Sequence, residues 1–170
     1  MIPFPEYPRP LLKRENWLNL NGVWQCAFSG FGAIPETFSG EILVPYSPEA
    51  PKSGVGRQLK PGEYLHYRRT FTPPEGEGRL LLHFGAVDYS CDVWVNGQYI
   101  RSHVGGQTSF SADITEAVRE LGDNVIELKA EDDYADWEMP RGKQFWEQHS
   151  RSIFYTRTTG IWQTVWIEAV

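Results

Sequence analysis

The sequence is poor in the residues that usually hold a metal or crosslink a secreted domain. It has two cysteines, Cys26 and Cys91, which are too few for a zinc site. Both lie in strand-like runs, so we expect buried free thiols, with a disulfide only if the two strands are neighbours. No apolar run approaches the roughly 18–20 residues of a membrane span. The formal charge of −6 disfavours nucleic acid or an anionic membrane as a partner.

Motifs of nucleotide and hydrolase sites are absent as well. The glycines form no Gly-x-Gly-x-x-Gly or phosphate loop between a strand and a helix, and there is no Gly-x-Ser-x-Gly elbow. The four histidines are isolated from one another, which favours ordinary hydrogen bonds over metal coordination. The sequence therefore predicts no cofactor, no metal and no catalytic residue in this chain.

The N-terminus has neither the basic nor the apolar region of a signal peptide. Its prolines, at positions 3, 5, 8 and 10, forbid a regular helix, so residues 1–15 are predicted to be an arm on the surface. The expected location is cytoplasmic. A secreted or periplasmic protein whose leader has been removed is the alternative.

Aromatic residues, glycine and proline are plentiful, and they divide the chain into many short β-rich runs. A length of 170 residues suits one domain with a sizeable core. We predict an all-β fold, an antiparallel β-sandwich of the jelly-roll type over residues 16–170. One short helix is expected over Thr115–Leu121, ended by Gly122.

The clearest local signal is a hairpin around Asn96-Gly97. Residues 89–95 alternate between two faces, and Asn-Gly suits a two-residue type I′ turn. Pairing Val95 with Gln98 places Trp94 opposite Tyr99. The same register places Asp92 opposite Arg101, Val93 opposite Ile100 and Ser90 opposite His103.

Further strands are predicted by alternation and by apolar runs. They cover residues 17–28 with a turn at Asn21-Gly22, 41–44, 63–71, 79–84, 110–113, 125–131 and 161–168. The first and last strands are expected to lie near each other. The proline- and glycine-rich stretch 45–62 is unusually long for a loop without secondary structure, and this length suggests a function.

Residues 132–159 show no periodicity but are rich in aromatic side chains mixed with charged and amide groups. Aromatic rings stack on the apolar faces of sugars, and amides, arginine and carboxylates bind sugar hydroxyls, so this loop suits carbohydrate. The alternative is that the rings pack on the sandwich. A glycosidase needs two carboxylates roughly 5–9 Å apart. Acidic residues in one loop are more often simply solvated, so we predict no catalytic pair.

A series of short motifs runs through nearly the whole chain in a fixed order. The segments are 20–25 (Leu-Asn-Gly-Val-Trp-Gln), 44–49, 67–71, 93–97, 103–106, 113–115, 122–124 and 159–168 (Thr-Gly-Ile-Trp-Gln-Thr-Val-Trp-Ile-Glu). The series resembles the N-terminal sugar-binding domain of glycoside hydrolase family 2, the β-galactosidase and β-glucuronidase family. The resemblance implies a galactose-binding-domain-like sandwich without catalytic residues. It also implies a following immunoglobulin-like domain and a TIM barrel that carries the glutamates of a retaining mechanism.

The resemblance also implies that the loop before the last strand reaches the mouth of the barrel. In several relatives an aspartate six residues before the Gly-Ile pair contacts the substrate, and this chain has Phe154 there. The candidate substrate-binding residues are Arg141, Lys143, Gln144, Trp146, Phe154, Tyr155 and Arg157. A structural ion pair with a loop carboxylate is the rival role for Arg157.

Three hypotheses follow. The first is the non-catalytic domain of a retaining, β-galactosidase-like β-glycosidase, whose partners are its own downstream catalytic domains and the carbohydrate substrate. The second is a free-standing carbohydrate-binding module, and the third is a structural sandwich that docks another domain. Assembly into a homo-oligomer is left open.

Overall fold

The computed structural model describes residues 1–119 and 121–170. These residues form a β protein with only three short 3₁₀ turns as helical structure. The strands are β1 (Trp17–Asn19), β2 (Gly22–Ser29), β3 (Gly40–Val44), β4 (Tyr64–Phe71), β5 (Leu80–Phe84), β6 (Val87–Asp88), β7 (Ser90–Val95), β8 (Gln98–Val104), β9 (Phe110–Asp113), β10 (Asn124–Glu131), β11 (Gly160–Ile161) and β12 (Val165–Ala169).

Two sheets make the sandwich. One has the order β1-β12-β5-β9, the other has the order β3-β2-β4-β10-β7-β8, and β11 pairs with β6 in a small third sheet. All the pairings between these strands are antiparallel. The predicted all-β antiparallel sandwich is confirmed, and so is the proximity of the first and last strands, since β1 pairs with β12. The jelly-roll connectivity stays a prediction.

The core lies between the two sheets, where alternate residues of each strand are buried. Trp24 and Tyr67 meet edge to face, with ring centroids 6.3 Å apart, and the Trp24 indole donates to the Leu20 carbonyl at 2.8 Å. Cys26 and Cys91 are both buried and free, as predicted. No helix in the described part of the chain has the length and apolar character needed to cross a membrane.

The helix predicted over Thr115–Leu121 is wrong. A 3₁₀ turn covers only Thr115–Ala117, and Val118 is already extended. The backbone N–H of Arg119 donates to the Asn124 side chain at 2.7 Å, which draws the chain into a turn instead of a second helical turn. Residue 120, which belongs to the predicted helix, lies outside the described residues.

The hairpin is confirmed at its tip but not along its length. Val95 pairs with Gln98 and Trp94 with Tyr99, and these two rings meet edge to face at 5.7 Å. A β-bulge at Ile100 then shifts the register, and Ile100 has no partner across the hairpin. Beyond the bulge Val93 faces Arg101 and Ser90 faces Val104. Ile100 still packs against the core. The predicted pair of Asp92 with Arg101 is therefore wrong.

Asp92 and Arg101 each have another partner. Asp92 receives the Lys129 ammonium at 2.7 Å. The Arg101 guanidinium lies over the Phe110 ring, 5.5 Å from its centroid. Both alternatives come from other strands, β10 for Lys129 and β9 for Phe110.

The single last strand predicted over 161–168 is also wrong. The chain breaks into β11 and β12, which belong to different sheets. Between them the Trp162 indole donates to the Gly106 carbonyl at 2.7 Å, and the Asn21 side chain accepts the Val165 N–H at 3.1 Å. These bonds turn the strand, so the loop before it ends beside β6.

The arm of residues 1–15 crosses the face of β12. Buried Glu168 accepts hydrogen bonds from the Tyr7 hydroxyl at 2.6 Å, the Trp166 indole at 2.7 Å and the Arg14 guanidinium at 3.0 Å. The Arg9 guanidinium lies 3.5 Å from the same carboxylate. Glu168 thus gathers most of the side-chain contacts that attach the arm to the sandwich, and the Asn19 and Asn21 amides add hydrogen bonds to the Phe4 and Pro3 carbonyls.

Candidate functional site

Residues 132–159, which we call the aromatic loop, connect β10 to β11 and form an ordered structure. The loop folds back on itself through a bridge between Gln144 and Tyr155. The Phe145 N–H donates to the Tyr155 carbonyl and the Tyr155 N–H to the Lys143 carbonyl, both at 2.8 Å. These bonds satisfy the backbone where the sequence gives no strand periodicity.

A cluster of four rings fills the folded loop. Phe145 is buried and stacks on Phe154 at 5.2 Å, with Trp146 edge-on against both. Trp137 lies 5.6 Å from Trp146 on the outside. The loop therefore carries its own small core, which fixes the orientation of its rings.

The outer face of the loop stays exposed. Trp137, Ile153 and Tyr155 have relative exposures of 75%, 64% and 66%. Large apolar side chains exposed in one loop are typical of a segment that meets a ligand or another protein. The loop thus packs on itself and also presents an apolar face outward.

Buried polar groups join the loop to the sandwich, in a region that we call the junction. The Gln144 amide donates to the Asp88 carboxylate at 2.7 Å, and its oxygen accepts the Thr158 N–H at 2.7 Å. Asp88 lies at the end of β6 and is 5% exposed. Burial raises the pKa of the Asp88 carboxyl to about 6, and the charge of Asp132 adds to the rise while the Gln144 bond opposes it.

Thr159 forms a second part of the junction. Its hydroxyl donates to Asp132 at 2.8 Å, and its backbone N–H donates to Glu49 at 3.2 Å. Burial raises the pKa of the Glu49 carboxyl to about 6, against the lowering effect of the hydrogen bonds from Thr159. The loop of residues 45–62 is thereby joined to the aromatic loop.

Arg157 is the buried cation of this junction. Its guanidinium lies over the Tyr134 ring, 3.7 Å from the centroid, and one amino group donates to the Gln58 side chain. The charge of Asp132 favours the cationic form, although burial lowers the pKa of Arg157 overall. Among the described residues no carboxylate lies within ion-pair distance of Arg157, so its contacts are with Gln58 and Tyr134 and the structural ion pair stays a prediction.

The candidate residues fall into two groups. Gln144 and Arg157 point into the buried junction, and Arg141 donates to the Tyr134 and Asp136 carbonyls with its guanidinium 5.4 Å from the Trp137 ring centroid. These contacts hold the loop in shape. Arg157 also lines an open groove together with Trp146, whereas Arg141 and Gln144 do not line it.

The remaining candidates are more accessible. Lys143 and Tyr155 are exposed, and Trp146 is half-buried. Phe154, at the position where several relatives have a substrate-contacting aspartate, is half-buried in the ring cluster. A carboxylate there would lose the stacking on Phe145, so this loop uses the position for packing.

Sequence reasoning missed the parts of the junction that lie outside the loop. These are Glu49, Gln58 and Asp88, which come from segments 56 to 110 residues away from their partners. The only sequence signal was that Glu49 ends one of the motifs of the family series. No spacing rule connects such distant side chains.

Two hollows adjoin the junction. One lies between Asp88, Asp132 and Gln144 and has a volume of about 10 Å³, which is far too small for a sugar ring. The other is an open groove of about 590 Å³ between residues 56–60 and 146–149. In the described residues, no group of three or more histidine, cysteine or acidic side chains is arranged to hold a metal.

Comparison with known proteins finds β-glucuronidases among the relatives. A protein of Formosa agariphila assigned as a β-glucuronidase is 33% identical over 89 residues, covering 52% of this chain and 10% of that protein. A β-glucuronidase of Paenibacillus borealis is 28% identical over 123 residues, 64% of this chain and 20% of that protein. A solved β-glucuronidase structure from Ruminococcus gnavus superposes with a TM-score of 0.68 at 18% identity, covering 95% of this chain and 29% of that one.

The chain spans a tenth to a fifth of the length of these curated relatives, so the likeness concerns one domain of each. At 18% identity the structural match shows a shared fold. The profile of the glycosyl hydrolase 2 galactose-binding-domain-like family matches residues 59–162, which include β4 to β10 and the aromatic loop. This chain therefore belongs to the galactose-binding-domain-like family of glycosyl hydrolase 2 domains.

Proposed function

We propose that the chain is the non-catalytic N-terminal domain of a retaining β-glycosidase, which supports a catalytic barrel and forms one wall of its substrate pocket. The observation that carries the proposal is the aromatic loop. Its base is fixed by buried hydrogen bonds, and its outer face exposes Trp137, Ile153 and Tyr155. A fixed loop with a bare apolar face suits a surface completed by another domain.

The interior of the junction supports a non-catalytic role. Asp88 and Asp132 lie close enough for the charge of Asp132 to add to the raised pKa of the Asp88 carboxyl. They line a hollow that cannot hold a sugar ring, and each carboxylate is engaged by a loop side chain, Gln144 or Thr159. Their placement serves the packing of the loop.

The substrate is proposed to be a β-glycoside, with a β-glucuronide favoured over a β-galactoside. The curated relatives are β-glucuronidases, and solved neighbours include a β-galacturonidase from Eisenbergiella tayi. Tyr155 and Lys143 are the exposed candidate residues that would face the pocket, and Trp146 lines a groove beside the loop. Arg141, Gln144, Phe154 and Arg157 would act by holding them in place.

A free-standing carbohydrate-binding module is the second candidate, because its exposed aromatic face would serve as a platform for a sugar. Titration calorimetry of the chain with galactose and with glucuronic acid separates the two. A domain that forms only one wall of a pocket should bind either monosaccharide with little or no measurable affinity. Sub-millimolar binding of either sugar would replace the first proposal by the second.

A further inference from the structure

The open groove beside the aromatic loop has two walls that are tied together. Residues 56–60 form one wall and residues 146–149 the other, and the volume of about 590 Å³ lies in the range of small-ligand sites. The Gln58 amide donates to the Gln148 carbonyl at 2.7 Å across the groove. The width is therefore set before any ligand arrives, which lowers the entropic cost of binding.

Trp146 supplies a flat apolar surface in the groove. Its ring is half-buried and lies edge-on against Phe145 and Phe154, with centroids 4.6 Å and 5.2 Å away. A ring held in this way has little rotational freedom left to lose on binding. It suits the apolar face of a sugar ring.

Basic side chains outnumber carboxylates in the lining of the groove. Its lining includes three basic side chains, Arg57, Lys60 and Arg157, and one carboxylate, Glu49, whereas the whole chain has a net charge of −6. Arg57 is engaged by Glu63 at 2.9 Å. Lys60 is exposed, and no carboxylate of residues 1–119 and 121–170 lies within ion-pair distance of it.

We propose that this groove binds a saccharide that carries carboxylates, with a sugar ring on Trp146 and a carboxylate paired with Lys60. The ligand class rests on the proposed function, and the groove adds a place and a charge preference distinct from the exposed face of the loop. A neutral sugar would gain nothing from Lys60. An acidic peptide would satisfy Lys60 but offers no sugar ring to Trp146.

The test is a titration of the chain with trigalacturonate, using the fully methyl-esterified trisaccharide as the uncharged control, followed by NMR of the indole N–H signals. The acid should bind with a dissociation constant in the millimolar range, about two- to fivefold tighter than the ester at low salt, as expected for one exposed ion pair. Trp146→Phe identifies the indole signal that shifts. Lys60→Met should reduce the affinity for the acid to that for the ester.

Lys13→Met is the matched control, because Lys13 is an exposed lysine of the N-terminal arm that does not line the groove. It should leave the preference for the acid unchanged. Equal binding of acid and ester, or an equal loss in Lys13→Met and Lys60→Met, overturns the groove assignment. An acidic peptide that shifts the Trp146 signal as strongly as trigalacturonate also overturns it. None of these results bears on the proposed non-catalytic role, which hydrolysis assays test separately.

Discussion

At the residue scale, the end of the aromatic loop depends on a contact that only glycine permits. Gly160 has φ +70°, and a Cβ at this position would overlap the hydroxyl of fully buried Tyr67. The same hydroxyl accepts the Ile161 N–H at 3.1 Å. The contact therefore sets where the loop rejoins the sandwich.

Gly160→Ala is expected to lower the free energy of unfolding by about 2–4 kcal/mol, because backbone strain and a steric overlap in the core act together. Gly54→Ala is the control. Gly54 also has positive φ (+83°), but nothing lies within 4 Å of its added Cβ, so only about 1 kcal/mol of strain is expected. Urea unfolding measures both. Equal losses in the two variants would mean that Tyr67 moves aside without cost.

Asp88 gives a pH dependence whose sign follows from its raised pKa. The Asp88 carboxyl has a pKa of about 6 in the folded chain and near 3.9 in the unfolded chain. Between these two pH values the folded carboxyl keeps a proton that the unfolded carboxyl has lost. This residue therefore adds most stability below about pH 4 and loses that contribution as the pH rises through 6. Asp88→Asn keeps an oxygen for the Gln144 amide and removes the charge.

The variant should be more stable than the wild type at pH 7 by about 1 kcal/mol, and the difference should shrink at pH 4.5. Urea unfolding of both proteins at the two pH values measures this. Asp123→Asn, at an exposed turn, should show no such change between the two pH values. A wild type more stable than Asp88→Asn at pH 7 would contradict the cost assigned to the buried charge.

At the element scale, one carboxylate fastens the N-terminal arm to β12. Glu168 receives donors from Tyr7, Arg14 and Trp166 and is only 2% exposed. Arg9 also donates to His83 at 2.7 Å, which needs the neutral imidazole, and burial lowers the His83 pKa accordingly. The arm and the last strand are expected to loosen together.

Glu168→Gln should lower the free energy of unfolding by about 2 kcal/mol, because an amide cannot accept all these donors and cannot neutralise Arg14. The arm should also be cut at Leu11 and Leu12 by chymotrypsin at least about tenfold faster, if its attachment loses that free energy. Glu15→Gln, an exposed glutamate of the same arm, is the control. Unchanged cleavage of the Glu168 variant would show that other contacts hold the arm.

The elements that the sequence predicts well are those specified by neighbouring residues. Asn96-Gly97 determines the hairpin tip because both residues accept positive φ, which they have here. The bulge at Ile100 and the break at Trp162 are not marked by neighbouring residues; the Trp162 indole, for example, donates to the Gly106 carbonyl, 56 residues away. Alternation alone cannot show such partners.

The position of the aromatic loop could be predicted from the sequence, whereas the contacts that hold the loop in place could not. The density of aromatic residues located the loop, and the ring cluster accounts for most of them. The roles of Gln144 and Arg157 depend on Asp88 and Gln58, which are 56 and 99 residues away in the chain. Residue type suggested contacts with a ligand, whereas the fold uses both side chains to hold the loop.

At the scale of the whole molecule, the chain has a complete sandwich core and an apolar loop face that its own residues leave uncovered. The relatives are several times longer than this chain. We propose that this chain stabilises and shapes a pocket whose reacting groups come from another domain. We therefore expect the chain to fold into the sandwich but to cleave no glycosidic bond.

The most direct measurement is the release of nitrophenol by the chain from 4-nitrophenyl β-glucuronide and 4-nitrophenyl β-galactoside. The account predicts no release above that of buffer for the wild type and for Asp132→Asn alike. Turnover that rises with the concentration of the chain and is abolished by Asp132→Asn would contradict it, because the buried junction would then be a catalytic site.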